Sequence, residues 1–286
     1  MVTPSSFNAF ETSTAANAIT GSIFTKLVGT AFSLDVVAIS GGVQQVAFTN
    51  SVSVALVANT TGAGLGADNC PTTFTTVQGP TTVAITGGRS TVSFSAVATA
   101  YRDVRVRVRY PVASPTVTSC STDNFSIRPT GFIVSSTNAN NTNTTGTPAI
   151  KTGANFSLTV TSVAGYDGTP SIDNTKVVGT PTAGTIGGSF GAAPVGTGTA
   201  TGASFFYSEV GNFGLNDNAI LDTSFTSVDQ PNDCNADFSN TLVGGKYGCS
   251  FGSTAVAQTT GSSGFWRFIP YNFATSLNTQ RLVLSA

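Results

Sequence analysis

The stretch Val104-Arg105-Val106-Arg107-Val108-Arg109-Tyr110 alternates apolar and charged residues without a break. Successive side chains of an extended chain point to opposite faces. This period of two therefore predicts a strand with valine on a buried face and arginine on a solvated one. Working outward, Phe32-Ser33-Leu34-Asp35-Val36-Val37-Ala38-Ile39 runs into Gly41-Gly42, and Val52-Ser53-Val54-Ala55-Leu56-Val57 runs into Asn59-Thr60-Thr61-Gly62. Short runs rich in Val, Phe, Ile and Thr, each closed by Gly, Asn, Pro or Asp, recur along the chain, and helical periodicity is nearly absent. The expected fold class is all-β, a sandwich or barrel of many short strands.

An internal repeat sets the domain organisation. Phe32-Ser33-Leu34-Asp35-Val36 matches Phe156-Ser157-Leu158-Thr159-Val160. Upstream, Pro4-Ser5-Ser6-Phe7 matches Pro129-Thr130-Gly131-Phe132, and downstream, Tyr101-Arg102-Asp103-Val104 matches Tyr207-Ser208-Glu209-Val210. Three markers in the same order predict tandem immunoglobulin-like β-sandwich modules over residues 1–128 and 129–268, with residues 269–286 an opening strand of a further module or a tail. In each module the opening Phe lies on the first strand and Phe-Ser-Leu on the second. Tyr101 with Asp103, and Tyr207 with Glu209, are expected at a structural corner, the tyrosine hydroxyl bound to backbone and the acid capping the turn into a late strand. Pro129 can break a ladder, so a hinge is expected beside it. Residues 138–145, rich in Asn and Thr, and the Gly-Thr-Ala stretch 184–202 read as mobile surface loops.

Composition narrows function. The 286 residues carry 12 Lys+Arg and 13 Asp+Glu, a net charge of -1, and no histidine. Histidine-dependent triads and His-ligated zinc or haem are thereby excluded. Near-neutrality argues against electrostatic capture of nucleic acid or an anionic membrane, and no apolar run suffices for a membrane helix. The four cysteines, Cys70, Cys120, Cys234 and Cys249, contain no C-x-x-C pair, so disulfides in an oxidising compartment are the natural reading. The repeat boundary places Cys70 with Cys120 in one copy and Cys234 with Cys249 in the other. Met1-Val2-Thr3-Pro4 leads into a polar stretch rather than a signal peptide, so the chain reads as a piece of a longer exported protein.

Few residues point to chemistry. Arg102, Arg105, Arg107 and Arg109 form the one charge cluster. Arg105 and Arg107 are candidate ligand contacts for a carboxylate, sulfate or phosphate, although a solvated strand face that discourages edge aggregation explains them as well. Asp167, Asp173, Asp217, Asp222, Asp229, Asp233 and Asp237 fall in loops of the second module. Loop carboxylates can hold calcium, but no D-x-D-x-D-G loop occurs, so no metal or other cofactor is expected. Neither a G-x-S-x-G elbow nor S-x-x-K is present, and an enzyme is not expected. Lys26 and Lys151 raise the idea of a lysine–asparagine cross-link assisted by Asp103 or Glu209, against the plainer reading that both are exposed turn or edge residues. Trp266, in Gly264-Phe265-Trp266-Arg267-Phe268, is a candidate sugar platform or a core residue.

Several segments together resemble the conserved C-terminal region of MshQ-like proteins, encoded with the mannose-sensitive haemagglutinin (MSHA) type IV pilus systems of proteobacteria. They are Phe7-Asn8-Ala9-Phe10-Glu11, Thr25-Lys26-Leu27-Val28-Gly29, Cys120-Ser121-Thr122-Asp123-Asn124-Phe125-Ser126-Ile127-Arg128-Pro129, Tyr207-Ser208-Glu209-Val210-Gly211, Gly244-Gly245-Lys246-Tyr247-Gly248-Cys249 and Arg267-Phe268-Ile269-Pro270-Tyr271-Asn272-Phe273. The family pattern would end Gly-Arg-Phe-x-Pro-Asp, whereas here Trp266 precedes Arg267 and Tyr271 replaces the acid. The resemblance implies export to the bacterial cell surface, pilus or cell-surface components as partners, and a structural or adhesive role as the stalk or presenter of a binding domain. It transfers no catalytic residue. The alternative is a module that itself binds a host or surface glycan or a receptor, through loops around Trp266 and residues 138–145.

Overall fold

The computed structural model describes residues 3–230, 232–258 and 264–272. The alternating runs of the first half become ten strands. They are β1 (Ser6–Glu11), β2 (Lys26–Leu27), β3 (Phe32–Ser40), β4 (Val43–Gln44), β5 (Asn50–Ala58), β6 (Thr75–Ile85), β7 (Arg89–Phe94), β8 (Tyr101–Tyr110), β9 (Val117–Cys120) and β10 (Phe125–Arg128). β3 lies between β1 and β7 in one sheet, and the facing sheet runs β2-β10-β8-β5-β6. The first-edge strand β2 pairs parallel to the last strand β10, while the other neighbours are antiparallel. That sheet-switching start and the two facing sheets make an immunoglobulin-like sandwich. Its core holds Phe7, Leu34, Val36, Phe48, Val54, Leu56 and Phe125, together with Val104, Val106 and Val108 of β8. Each fully buried valine contributes about 1.5 kcal/mol or more.

The arginine face of β8 departs from expectation. Residues 59–74 fold over it and are fixed by the Cys70–Cys120 disulfide and by Cys120 N–H donating to Asp68 O at 2.8 Å. Val57 of β5 packs there with both cysteines and Phe74. Arg105, paired with Val57 across the ladder, is therefore buried, and Arg107 lies over the Phe74 ring at 4.8 Å.

The second half repeats the plan. Its strands are β11 (Ile133–Ser135), β12 (Ile150–Lys151), β13 (Phe156–Thr161), β14 (Ser171–Ile172), β15 (Val177–Thr180), β16 (Ile186–Gly187), β17 (Thr199–Tyr207), β18 (Gly211–Leu215), β19 (Ile220–Asp222), β20 (Phe251–Gly252) and β21 (Phe265–Ile269). Sheets β11-β13-β17-β16 and β12-β21-β18-β15 face each other, and β14-β19-β20 form a small accessory sheet. β12 again pairs parallel to the closing strand β21. Phe132, Phe156, Leu158, Phe205, Phe213, Phe265 and Phe268 fill the core. The fold class is thus all-β, two disulfide-bonded immunoglobulin-like sandwiches in tandem.

Three local readings change. Phe32-Ser33-Leu34 and Phe156-Ser157-Leu158 do occupy equivalent strands, β3 and β13, but Tyr101 opens β8 whereas Tyr207 ends β17. Phe265–Ile269 closes the second sandwich, so Ile269 ends a strand instead of opening one, and residues 273–286 lie outside the described residues. The two loops read as mobile are built into the fold. Ala139 is buried and Asn141 Nδ2 donates to Thr145 O and Pro148 O, while Ile186, Phe190 and Ala193 enter the core.

Candidate functional site

The segment from residue 223 to 250, closed by the Cys234–Cys249 disulfide, folds back from the second sandwich onto the first. Asp229 is its anchor, with 1% of its surface exposed. Its Oδ2 accepts from Thr25 Oγ1 at 2.6 Å and from Ser126 N–H at 3.0 Å, both in the first sandwich. Its Oδ1 has no partner among the described residues. Burial pushes this carboxyl up to about 7, with the two donors pulling the other way and Asp123 adding to the rise. Thr25 N–H also donates to Asp233 O at 3.2 Å.

Arg128 makes the reciprocal anchor. It is fully buried at the end of β10, with Nε donating to Gly248 O at 2.7 Å, Nη1 to Pro129 O at 2.7 Å and to Asn240 Oδ1 at 2.9 Å, and Nη2 to Ser239 O at 2.8 Å. Burial lowers its guanidinium to about 10 against the opposing influence of Asp237 and Tyr247. A planar fork that donates to four carbonyl oxygens fixes direction as well as distance. The junction beside Pro129, expected to be a hinge, is instead a buried hydrogen-bonded joint.

On the other side of the joint, the start of β8 meets the loop that follows β13. Ala100 N–H donates to Ala164 O at 2.8 Å, and Arg102 Nε pairs with Asp167 Oδ1 at 2.5 Å while its guanidinium lies 4.4 Å from the Phe225 ring. A cleft of about 380 Å³ opens here between the sandwiches, lined by residues of both, Tyr101, Asp103, Asp167 and Val195 among them.

The residues singled out by sequence divide accordingly. Tyr101 is half-buried on the cleft wall, and its hydroxyl has no hydrogen-bond partner among the described residues. Asp103 accepts from Asn124 Nδ2 at 2.9 Å and Asn59 Nδ2 at 3.2 Å. Tyr207 is fully buried, and its hydroxyl accepts from Gly184 N–H at 2.9 Å, whereas Glu209 is exposed. Arg105 is not presented to a ligand, because its Nη1 donates to Ser121 O at 2.6 Å and Thr122 O at 3.0 Å inside the covered face. Desolvation lowers its pKa. Arg107 is half-buried on Phe74. Trp266 lies in β21, opposite Asn212, with its side chain outside the described residues. Lys26, read as exposed, is buried and ion-paired with Glu11 over the Phe32 ring, and Lys151 is exposed near Tyr271. Among the described residues no group of three or more acidic or cysteine side chains is arranged to hold a metal, and no helix is long and apolar enough to cross a membrane.

Asp229, Thr25 and Arg128 were not among the sequence candidates. Asp229 is one of many loop acids, and its partners stand 204 and 103 positions away. Arg128 carried a signal, a cation directly before the proline of a module boundary, that pointed to a joint but was read as a loose one.

The fold and joint define a class, disulfide-bonded tandem immunoglobulin-like proteins with an interlocked interface. No protein-family model matches the chain, and no curated protein sequence does. Among solved structures, a chain described as "FdeC, a Novel Broadly Conserved Escherichia coli Adhesin Eliciting Protection against Urinary Tract Infections" is similar at 12% identity and a TM-score of 0.33. The likeness covers 75% of this chain and 60% of that one. At that score the functional reading rests on the geometry.

Proposed function

We propose that this chain is a non-enzymatic structural and adhesive part of an exported bacterial surface protein, associated with a pilus, that spaces or presents a binding domain. The observation that carries the reading is the joint. Asp229 and Arg128, both buried, reach across from opposite sides, and at each one donors of the first sandwich meet acceptors of the segment after residue 223, which suits a spacer that must hold one orientation. Two disulfides suit an oxidising environment, and a chain of which only 9% of the residues are charged depends little on salt. The resemblance to MshQ-like proteins supports the pilus context.

The test replaces the chain, in cells displaying the complete surface protein, with a flexible Gly-Ser linker of equal contour length. Attachment to a surface should fall several-fold although the binding domain is still displayed. Undiminished attachment would remove the spacer role.

A further inference from the structure

We propose that the cleft between the two sandwiches binds a neutral saccharide, with Tyr101 as its platform. The site differs from the loops that sequence nominated, and it does not rest on the spacer reading.

The cleft is a part-open depression whose base is held by backbone contacts. Its floor is the bond from Ala100 N–H to Ala164 O at 2.8 Å. Gly165 lies beside it at φ +85°, where a Cβ would come 2.2 Å from Ala100 O, so only glycine lets the two loops approach this closely. Its volume of about 380 Å³ falls at the small end of ligand pockets, roughly 300–1,000 Å³, and domain boundaries are a preferred place for them.

The lining selects the ligand. Tyr101 lines the cleft half-buried, packed on one side against the core of the first sandwich and with an unpartnered hydroxyl among the described residues, and its remaining apolar surface and polar tip would meet the C–H face and hydroxyls of a sugar. Asp103 is held by Asn59 and Asn124, one bond to each oxygen, which orients it and leaves further lone pairs for hydroxyl donors. Asp167 is held through one oxygen by Arg102. The free capacity of these carboxylates is for accepting hydrogen bonds. An anionic ligand would meet Asp103 and Asp167 with the cleft's arginine already paired. A cationic ligand would be brought beside that same guanidinium. An uncharged polyol avoids both costs. Ala164 and Val195, both exposed, supply the apolar remainder.

Saturation-transfer NMR and titration of the intact, oxidised chain test the proposal, with the methyl glycosides of glucose, galactose and N-acetylglucosamine as probes. Sialyllactose and spermidine serve as anionic and cationic comparisons. At least one neutral glycoside should bind, with millimolar affinity. Tyr101→Ala should weaken it tenfold or more. Val195→Arg, at a rim residue 91% exposed and so removable without disturbing the core, should weaken it likewise by filling the entrance with charge, and it decides the matter if Tyr101→Ala fails to fold. Three results would each overturn the proposal: no binding by any neutral glycoside, preference for either charged probe, or neutral binding that Val195→Arg leaves unchanged.

Discussion

Asp229 shows how a single buried carboxyl can give the joint a pH dependence. Its pKa stands at about 7 in the folded chain against 3.8 unfolded, so the folded state holds the proton more tightly. Between those values the folded state binds more protons than the unfolded one, and stability falls as pH rises. The contribution is complete below pH 3.8 and gone above about 7, worth at most about 4 kcal/mol at 1.36 kcal/mol per unit. Asp123, also raised by burial and facing Asp233 and Arg105, acts in the same direction. Denaturant unfolding at pH 4.5 and 7.5 should therefore show the chain more stable at the lower value, and Asp229→Asn should flatten that slope. A slope of opposite sign, or one that Asp229→Asn leaves intact, would show that the carboxylate is better solvated than its surroundings indicate. Nothing in the sequence distinguished this aspartate, because long-range hydrogen-bond partners leave no local spacing to read.

Among the elements, the turn from β17 to β18 separates two tyrosines that sequence treated as equivalents. Tyr207 ends β17 with its hydroxyl accepting from Gly184 N–H, so Tyr207→Phe takes the acceptor from a part-buried donor and should cost about 1 kcal/mol. Tyr101→Phe should leave the melting temperature nearly unchanged. Thermal melts of the two single variants check this, and equal losses would restore their equivalence. Strands were legible where the alternation of apolar and polar residues was strong, as in β3, β8 and β13. The match failed at the tyrosines because the late strand of the first sandwich has ten residues in β8 and its counterpart β18 has five, which moves the tyrosine across the turn. Phe265–Ile269 was missed as a closing strand because Phe-Trp-Arg-Phe-Ile has no period of two. The covering of the arginine face was missed because alternation reports which face differs from which, and not what a later loop lays over it.

At the scale of the whole molecule, the tandem plan was readable from the repeat, while the fixed joint was not, since it depends on a segment after residue 223 returning to donors at Thr25 and Ser126. The candidate cleft was equally hidden. Tyr101 was noticed, but Asp167 and Val195 stand far from it in sequence and join it only where the loop after β13 meets the start of β8. The parallel pairing of the second strand with the last in each sandwich, β2 with β10 and β12 with β21, has a mechanical consequence. A pull on the two ends of either sandwich drags these strands along each other in shear, so their hydrogen bonds must rupture together instead of unzipping singly. The Cys70–Cys120 bridge then withholds the 50 residues it spans, about 170 Å of extended chain. Single-molecule stretching should show the unfolding step of the first sandwich lengthen by that amount once the disulfides are reduced, and an unchanged step would mean the bridge does not form under load. In the oxidised state, tension can break the first sandwich and still leave much of its chain looped, which limits the recoil distance and keeps the severed strands near enough to re-form.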